Sequence, residues 1–155
     1  MYYLAEVNIS RVLAPLNDPQ LADFVTKLEE VHQYAEHSPG FVWRYRSPKN
    51  ANSVRTTPFD DVLIQLNMSV WRSREALLEF IYSPQGLHHQ VMKERQRWFA
   101  HIDGPFIALW WIPQGHLPTI EEAKERLAYL RMHGETPYAF SFRHFFPAPD
   151  EAKVQ

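Results

Sequence analysis

The chain contains no cysteine among its 155 residues, and this absence excludes several kinds of site. Disulfide bonds, zinc sites built on thiolates and cysteine nucleophiles are all ruled out. Glycine is also scarce, with five residues, and no Gly-rich phosphate-binding loop occurs among them. Because a chain without cysteine suits a reducing compartment, we expect a cytoplasmic protein.

An excess of one charge and long apolar runs are absent as well. Sixteen basic and eighteen acidic side chains are interspersed and give a net charge of -2. No basic cluster therefore indicates nucleic acid or an anionic membrane surface. No apolar run approaches the roughly 20 residues of a membrane span, and residues 1–15 do not resemble a signal peptide. We expect no nucleic-acid partner and no membrane partner.

Motifs for metal sites and for hydrolases are missing. The sequence has neither a His-Glu-x-x-His motif nor two histidines four residues apart. No serine occupies a Gly-x-Ser-x-Gly elbow. We predict no metal site and no resident cofactor.

Aromatic residues, in contrast, are plentiful, with five Trp, seven Tyr and ten Phe. Each such side chain buries a large area. The composition indicates a well-filled core and is equally compatible with an aromatic-lined pocket.

Alternation of polar and apolar residues and helical periodicity predict the order of the elements. Strands are expected at residues 3–13, 41–46, 62–71, 105–112 and 139–146, and residues 47–60 are expected to form a loop. Helices are expected from 19 to 37, from 74 to 82 with a continuation at 87–99, and from 120 to 133. The fold class is therefore α+β, with a ferredoxin-like β-α-β-β-α-β core, an antiparallel sheet and a C-terminal α-β extension. We expect one domain at 1–147 and a flexible tail at 148–155.

The strands predict two chemically different sheet faces. One face is apolar, and we expect the helices to cover it; it carries Val7, Ile9, Ile64, Leu66 and Met68. The other face is largely polar; it carries Glu6, Asn8, Ser10, Gln65, Asn67, Ser69 and Trp71. A second copy of the sheet laid over the polar face would create a half-wet interior. A solvent-exposed antiparallel face is the alternative.

Two segments link the chain to a known superfamily. They are Ser38-Pro39-Gly40-Phe41 and Ser69-Val70-Trp71-Arg72-Ser73-Arg74-Glu75-Ala76-Leu77. On these residues the chain resembles the dimeric α+β barrel superfamily, which includes antibiotic-biosynthesis and heme-degrading monooxygenases. Over nearly its whole length it also looks like a bacterial family known only as a domain of unknown function. The segments that carry this similarity are 4–9, 109–113, 115–119 and 139–143, together with His88, Val91-Met92, Arg95 and Trp98-Phe99. The resemblance implies a homodimer with a cavity for a small hydrophobic or aromatic molecule.

Three residues are candidates for catalysis: Asn8, Trp71 and His88. Amide and indole N–H groups can hold a developing oxyanion, or position dioxygen, without a metal. The resembling monooxygenases use Asn and Trp on such strands together with a helical His. His88 departs from that pattern because it follows the Ser83-Pro84 interruption. The other interpretations are cross-strand hydrogen bonding for the amides and a core histidine or an axial iron ligand for His88.

Six further residues are candidates for lining the cavity: Glu6, Gln65, Asn67, Arg95, Trp111 and His116. An inward-facing Glu6 is expected to pair with a cation, because an unpaired buried charge is costly. Arg44 and Arg143 are the expected partners. His116 lies in a Pro/Gly turn and equally fits a role in fixing that turn.

Three functions stay open at this point. The first is a cofactor-independent, monooxygenase-like enzyme acting on a small aromatic, quinol-like compound. The second is a heme-binding or heme-modifying protein with His88 on the iron. The third is a non-enzymatic dimer that binds a small ligand or serves as an interaction module.

Overall fold

A computed structural model describes residues 1–46, 58–83 and 91–152 of the chain. The strands are β1 (Tyr2–Val12), β2 (Phe41–Arg44), β3 (Ile64–Trp71), β4 (Phe99–Ala100) and β5 (Ile107–Pro113). The helices are α1 (Ala22–Glu36), α2 (Arg74–Tyr82), α3 (Arg95–Trp98), α4 (Ile120–His133) and α5 (Pro149–Ala152), and a 3-10 turn at Pro19–Leu21 precedes α1. Most of the loop predicted at 47–60, and residues 87–90 of the continued helix, lie outside the described residues.

The strands form one five-stranded antiparallel sheet with β1 at its centre. The order is β2-β3-β1-β4, and β5 pairs with β1 beside β4. Along β1, Glu6 pairs with Ser69 of β3 on one side and with Leu109 of β5 on the other. The predicted α+β class with an antiparallel sheet is therefore confirmed.

Side-chain caps mark the start of the 3-10 turn, of α2 and of α4. The side chain of Asp18 accepts a hydrogen bond from the Gln20 N–H at 2.8 Å at the 3-10 turn. Ser73 caps α2 and Thr119 caps α4, each accepting from a backbone N–H three residues later at 3.1 Å. Such caps satisfy N–H groups that lack helical partners, and the predicted starts of α2 and α4 are confirmed.

Gly40 is required by the packing of α2 against the turn between α1 and β2. Its φ of 82° lies in the left-handed region that favours glycine. A Cβ atom at this position would also overlap the Cβ of Ala76 on α2. The Ser38-Pro39-Gly40 stop is therefore also the point where α2 approaches the sheet.

Helices from the same chain cover both faces of the sheet. Helix α4 packs through Ala123, Leu127 and Leu130 on the apolar face. Helices α1 and α2 lie on the face that carries Glu6, where Ala35 and Leu77 join Leu4 and Trp71 in one cluster. The prediction that the helices cover only the apolar face is wrong, because α1 and α2 lie on the polar face, where a second copy of the sheet or, alternatively, solvent was expected. The apolar row needs a cover, and α4, predicted as an extension, supplies it.

The polar residues of the Glu6 face occupy its middle, and apolar clusters fill both of its ends. One end is filled by a cluster that includes Leu4, Trp71, Leu109 and Phe140. The other end is filled by Val12, Leu21, Phe24 and Trp98. The helices on this side are therefore held by apolar contacts at both ends, with the polar residues between them.

The C-terminal part differs most from the prediction. The strand predicted at 139–146 is replaced by an isolated bridge between Leu109 and Phe140 and by two bridged turns. The short β4 was not predicted, because its two residues have no periodicity to read. The segment expected as a tail contains the helical turn α5, and residues 153–155 lie outside the described residues. In the described ranges, no helix is long and apolar enough to cross a membrane.

Candidate functional site

A buried carboxyl group lies at the centre of the polar face. Glu6 is 7% exposed, and it is the only buried polar or charged residue within residues 1–46, 58–83 and 91–150. Its position in the middle of the central strand places it between β3 and β5 and beneath the helices α1 and α2. A buried carboxylate is costly unless other groups compensate the lost water.

Two neighbouring side chains donate hydrogen bonds to the Glu6 carboxylate. The Nδ2 amide of Asn8 donates to Oε1 at 2.7 Å, and the hydroxyl of Ser69 donates to Oε2 at 3.1 Å. The indole Nε1–H of Trp71 in turn donates to the Ser69 hydroxyl oxygen at 2.9 Å. Each carboxylate oxygen therefore accepts one hydrogen bond, and Trp71 fixes the orientation of one donor.

The chain of polar contacts continues from Asn8 towards helix α1. The Nδ2 amide of Asn67 donates to Oδ1 of Asn8 at 3.4 Å. His32 of α1 brings its Nε2 to 3.4 Å from Oδ1 of Asn67. With the proton on Nε2 of His32, every donation in this arm runs towards Glu6. We call the six residues the Glu6 network: Glu6, Asn8, His32, Asn67, Ser69 and Trp71.

Burial is the main influence on the acidity of Glu6. It raises the pKa of the carboxyl group from 4.5 to about 7, while the hydrogen bonds from Asn8 and Ser69 act in the opposite direction. Both the acid and the carboxylate form are therefore populated near neutral pH. A group with this property is a common feature of functional sites.

Neither of the expected cation partners, Arg44 and Arg143, bonds to Glu6. Arg44 donates its Nε–H to Glu36 at 2.7 Å instead, and Arg143 is exposed. The prediction that Glu6 pairs with Arg44 or Arg143 is therefore wrong. At the edge strand β2, Arg44 reaches a partly exposed carboxylate without losing all of its water, whereas a pair at Glu6 would require complete desolvation of the guanidinium.

His32 forms the outer end of the network. Burial lowers the pKa of its imidazole, and the positive charge of Arg44 lowers it further. The ring is consequently neutral at pH 7, where one nitrogen donates and the other accepts. His32 therefore acts as a neutral hydrogen-bonding group at the boundary between the network and Arg44.

Two of the three predicted catalytic residues join the Glu6 network. Asn8 and Trp71 are connected through Glu6 and Ser69, and their N–H groups are engaged there. Trp71 is fully buried, and its ring stacks on Phe80 with a centroid distance of 5.0 Å. His88 lies outside the described residues, so its role stays a prediction.

The predicted cavity-lining residues divide into two groups. Glu6 and Asn67 belong to the network, whereas the other four lie outside it. Gln65 donates to the Val62 carbonyl at 3.0 Å, and Arg95 is exposed on α3. Trp111 donates its indole N–H to the Phe146 carbonyl at 2.9 Å, and His116 lies 2.7 Å from a carboxylate oxygen of Glu122. These contacts fit structural roles, and for His116 they support the turn-fixing interpretation.

The sequence analysis missed His32 as a member of the site. A usable signal was present, because His32 lies four residues after Leu28 and three before Ala35 on the inward stripe of α1. Ser69 was placed on the polar face but was not singled out. A hydroxyl there had no visible partner until the register with Glu6 was known.

Two surface grooves occur near the network without bordering Glu6. The larger has a volume of about 390 Å³ and runs along β2 beside the end of α1. The smaller, of about 80 Å³, lies between α1 and α2. In the part of the chain that the structure describes, no group of three or more His, Asp or Glu residues could hold a metal ion.

The fold and the site together define an α+β protein whose sheet buries a carboxyl group with a pKa of about 7. The chain belongs to the family described as a domain of unknown function, DUF3291, whose model matches residues 3–155. The match confirms the predicted membership of a family of that kind. No curated protein matches the chain.

A solved structure has a similar fold. It is a protein of unknown function, NE2512, from Nitrosomonas europaea, with a TM-score of 0.51 and 12% sequence identity. The match covers 77% of this chain and 97% of that one. At this identity the likeness concerns the fold alone. The wider resemblance to monooxygenases stays a prediction.

Proposed function

We propose that the protein is a small-molecule enzyme in which Glu6 exchanges a proton with an aromatic compound. One observation carries this proposal: a carboxyl group is buried in the sheet with two neutral donors and, among the residues that the structure describes, no cation bonded to it. Its pKa of about 7 gives a base that is partly ionised and an acid that is partly protonated at neutral pH. General acid–base catalysis works best under these conditions.

The reaction class that we infer is a cofactor-independent, monooxygenase-like oxidation of a phenol or quinol. Glu6 as the carboxylate would accept the proton of the acidic substrate, and the resulting anion would pass electrons to dioxygen. Two hydrogens of the substrate are then replaced by one oxygen atom, and the other oxygen leaves as water. The electrons balance without an external reductant.

Ser69 and Trp71 are positioning residues in this proposal. Trp71 holds the Ser69 hydroxyl, and Ser69 holds one carboxylate oxygen of Glu6. Asn8 holds the other oxygen. A Trp71→Phe substitution keeps an aromatic ring in the core but removes the N–H donor together with part of the buried indole, so it tests positioning and packing together.

A second candidate, a non-enzymatic ligand-binding protein, is favoured by a different observation. The members of the Glu6 network satisfy one another, and neither groove borders Glu6. In this case a ligand binds elsewhere on the protein and exchanges no proton with Glu6. The heme interpretation rests on His88 and stays a prediction. It is tested by hemin titration of the wild type and a His88→Ala variant.

We also propose a homodimer with a ferredoxin-like protomer. The chain order of the elements and the position of β1 between β3 and β5 support the ferredoxin-like assignment. Because helices cover both faces, the sheets of two copies cannot meet without displacing a helix layer. A dimer of the barrel type therefore requires that α4 or the pair α1 and α2 move. Light scattering distinguishes a dimer from an 18.3 kDa monomer.

The test compares the wild type with Glu6→Gln on a panel of phenols and quinols. Dioxygen uptake is followed with an electrode, and binding is followed by calorimetry. We expect the substitution to lower turnover by roughly 10²–10⁴-fold while binding is retained. Glu125→Gln, an exposed site on α4, is the matched control. Binding without turnover in both proteins would favour the non-enzymatic candidate.

A further inference from the structure

One side of helix α4 faces away from the sheet. The helix packs on the apolar face through Ala123, Leu127 and Leu130. With about 3.6 residues per turn, Ala128 and Met132 lie on the opposite side of the same helix, and both are exposed. The outward side of α4 is therefore not used in packing the helix on its own sheet.

The outward side of α4 presents apolar and aromatic groups to solvent. Met132 is 79% exposed and Tyr129 is 36% exposed. The ring of Tyr129 contacts those of His133 and Tyr138, at centroid distances of 4.3 and 4.7 Å. Protein interfaces are enriched in Tyr, Met and Arg relative to the rest of the surface. A tyrosine held in place beside an exposed methionine is thus typical of a surface that contacts another protein.

The apolar surface continues past the end of the helix. Nε of Arg131 donates to the Pro105 carbonyl at 2.6 Å, which brings the segment before β5 beside the last turn of α4. Phe106, the next residue of that segment, is 43% exposed. The same bond orients Arg131, whose guanidinium has further N–H groups that can bond to a carboxylate.

The charges of α4 are distributed unevenly along its length. All three of its carboxylates lie in the first half of the helix, and the second half has none. Two of its cations bond within the chain, because Lys124 donates to the Pro58 carbonyl and Arg126 to the Tyr138 carbonyl. The outward surface therefore has an exposed acid, Glu121, in the first turn and an exposed base, Arg131, in the last turn.

This arrangement is self-complementary about a two-fold axis through the middle of α4. In a two-fold contact, residue i of one copy meets residue j of the other, and j meets i. Two antiparallel α4 helices would thus place Glu121 of each copy beside Arg131 of the other. Ala128 lies near the axis, and its small side chain permits a close approach of the two helices.

We propose that the outward side of α4 is the interface of a homodimer, with a second copy of the chain as the partner and Ala128, Tyr129 and Met132 near its centre. The inference rests on the homodimer proposed above and names its surface. Such a dimer displaces no helix layer, because α4 and the pair α1 and α2 all stay on their own sheets. A contact built mainly on one helix from each copy is small, so we expect a dissociation constant in roughly the micromolar range.

Sedimentation velocity on the full chain over a range of concentrations tests the proposal. Met132→Glu brings a charge to the centre of the interface and should weaken the dimer at least roughly tenfold. Glu121→Arg and Arg131→Glu each bring like charges together twice in the dimer and should weaken it by a similar factor. The double variant restores both pairs of opposite charge and should recover most of the affinity. Glu30→Arg, at an exposed site of α1 on the other side of the sheet, is the matched control and should leave the dimer unchanged.

The double variant separates the interface from the stability of the helix itself. An acid in the first turn and a base in the last turn both stabilise a helix through its dipole. Each reversal should therefore lower the free energy of unfolding slightly, and the two losses should add. Only a contact between copies makes the second reversal correct the effect of the first.

Three outcomes would overturn the proposal. A monomer of 18.3 kDa at every concentration would remove the homodimer together with its interface. A dimer that Met132→Glu and both single reversals leave unchanged would keep the homodimer but place its interface elsewhere on the protein. A dimer that the single reversals weaken and the double variant does not recover would mean that Glu121 and Arg131 act on the helix rather than on a contact between copies.

Discussion

The two faces of the sheet use the same strands but bury different chemistry. On the α4 face, Val7, Met68 and Val70 alternate with neighbours that point away, and they form one apolar cluster with Leu127 and Leu130. On the α1 and α2 face, the corresponding rows carry the Glu6 network between two apolar ends. The first face stabilises the fold mainly through apolar burial, and the second buries an ionisable group.

This difference shows where stability and function divide in the molecule. An apolar face contributes a free energy of burial that hardly changes with pH. A face with a buried carboxyl group gives up part of that stability whenever the group ionises. Such a cost is typical of sites that are kept for their chemistry. The predictions below test this contrast between the faces.

The largest effect on stability is expected on the apolar face. Leu127→Ala removes a buried side chain between α4 and the sheet and leaves a cavity. The free energy of unfolding should fall by about 2–5 kcal/mol. Urea unfolding at pH 5 and at pH 8 measures this, and the loss should be the same at both. A loss that depends strongly on pH would contradict the contrast between the faces.

Glu6→Gln should change the pH dependence of stability. The folded pKa of Glu6 is raised from 4.5 to about 7, so the folded state holds a proton that the unfolded state has released between these values. In that window the wild type should lose about 1.4 kcal/mol of unfolding free energy per pH unit relative to the variant. The stability of the wild type relative to Glu6→Gln is fully present below pH 4.5, falls as the pH rises, and becomes constant above about pH 7.

Subtracting the Glu6→Gln curve from the wild-type curve isolates this contribution. His32 has a lowered folded pKa, so its effect has the opposite sign: stability is lost as pH falls below its ordinary value of 6.5. That effect occurs in both proteins and largely cancels in the difference. A difference curve that is flat from pH 4.5 to pH 7 would show that Glu6 titrates normally.

Ser69→Ala should have an intermediate effect. It removes one donor to Glu6 and leaves the buried indole N–H of Trp71 without its partner. We expect a loss of about 1–3 kcal/mol in unfolding free energy, and a further rise in the pKa of Glu6. Ser10→Ala, on the same face of β1 but outside the network, serves as the control. Equal effects of the two substitutions would remove the special role of Ser69.

Asn67→Ala should have the smallest effect. Both of its contacts in the network are 3.4 Å long, one with Asn8 and one with His32. Thermal and urea unfolding should show a loss below about 1 kcal/mol. The pKa of His32 should still fall, because the imidazole loses a hydrogen bond that raises this pKa. A larger loss than for Ser69→Ala would mean that the contacts of Asn67 contribute more to stability than those of Ser69, which would contradict this prediction.

Local signals in the sequence predicted most of the elements. Strand β3 and helix α2 follow from alternation and from the Ser73 cap, and the observed bounds of α2 match the predicted ones. The face on which each helix lies was not local information. The strand that became β5 was apolar on both sides, and Ala108, Leu109 and Trp110 are all fully buried. That feature indicates helices on both faces, which is what the structure has.

The residues of the site were easier to predict than their connections. Alternation along β1 and β3 put Glu6, Asn8 and Trp71 on one face, and the structure brings them together. The partner of Glu6 could not be inferred, because Ser69 is 63 residues away and is brought to Glu6 only by the strand register. Arg44 was the expected partner on grounds of charge, but it lies at an edge strand where a partly exposed carboxylate is within reach.

The most direct test of the account is the titration of Glu6 itself. Protein labelled with ¹³C at the glutamate carboxyl carbons is followed by NMR from pH 3 to pH 9, and Glu6→Gln assigns the resonance. We expect a midpoint near 7, well above that of the exposed glutamates. A midpoint near 4.5 would mean that Glu6 is ionised at all physiological pH values, and the proposed acid–base role would be contradicted.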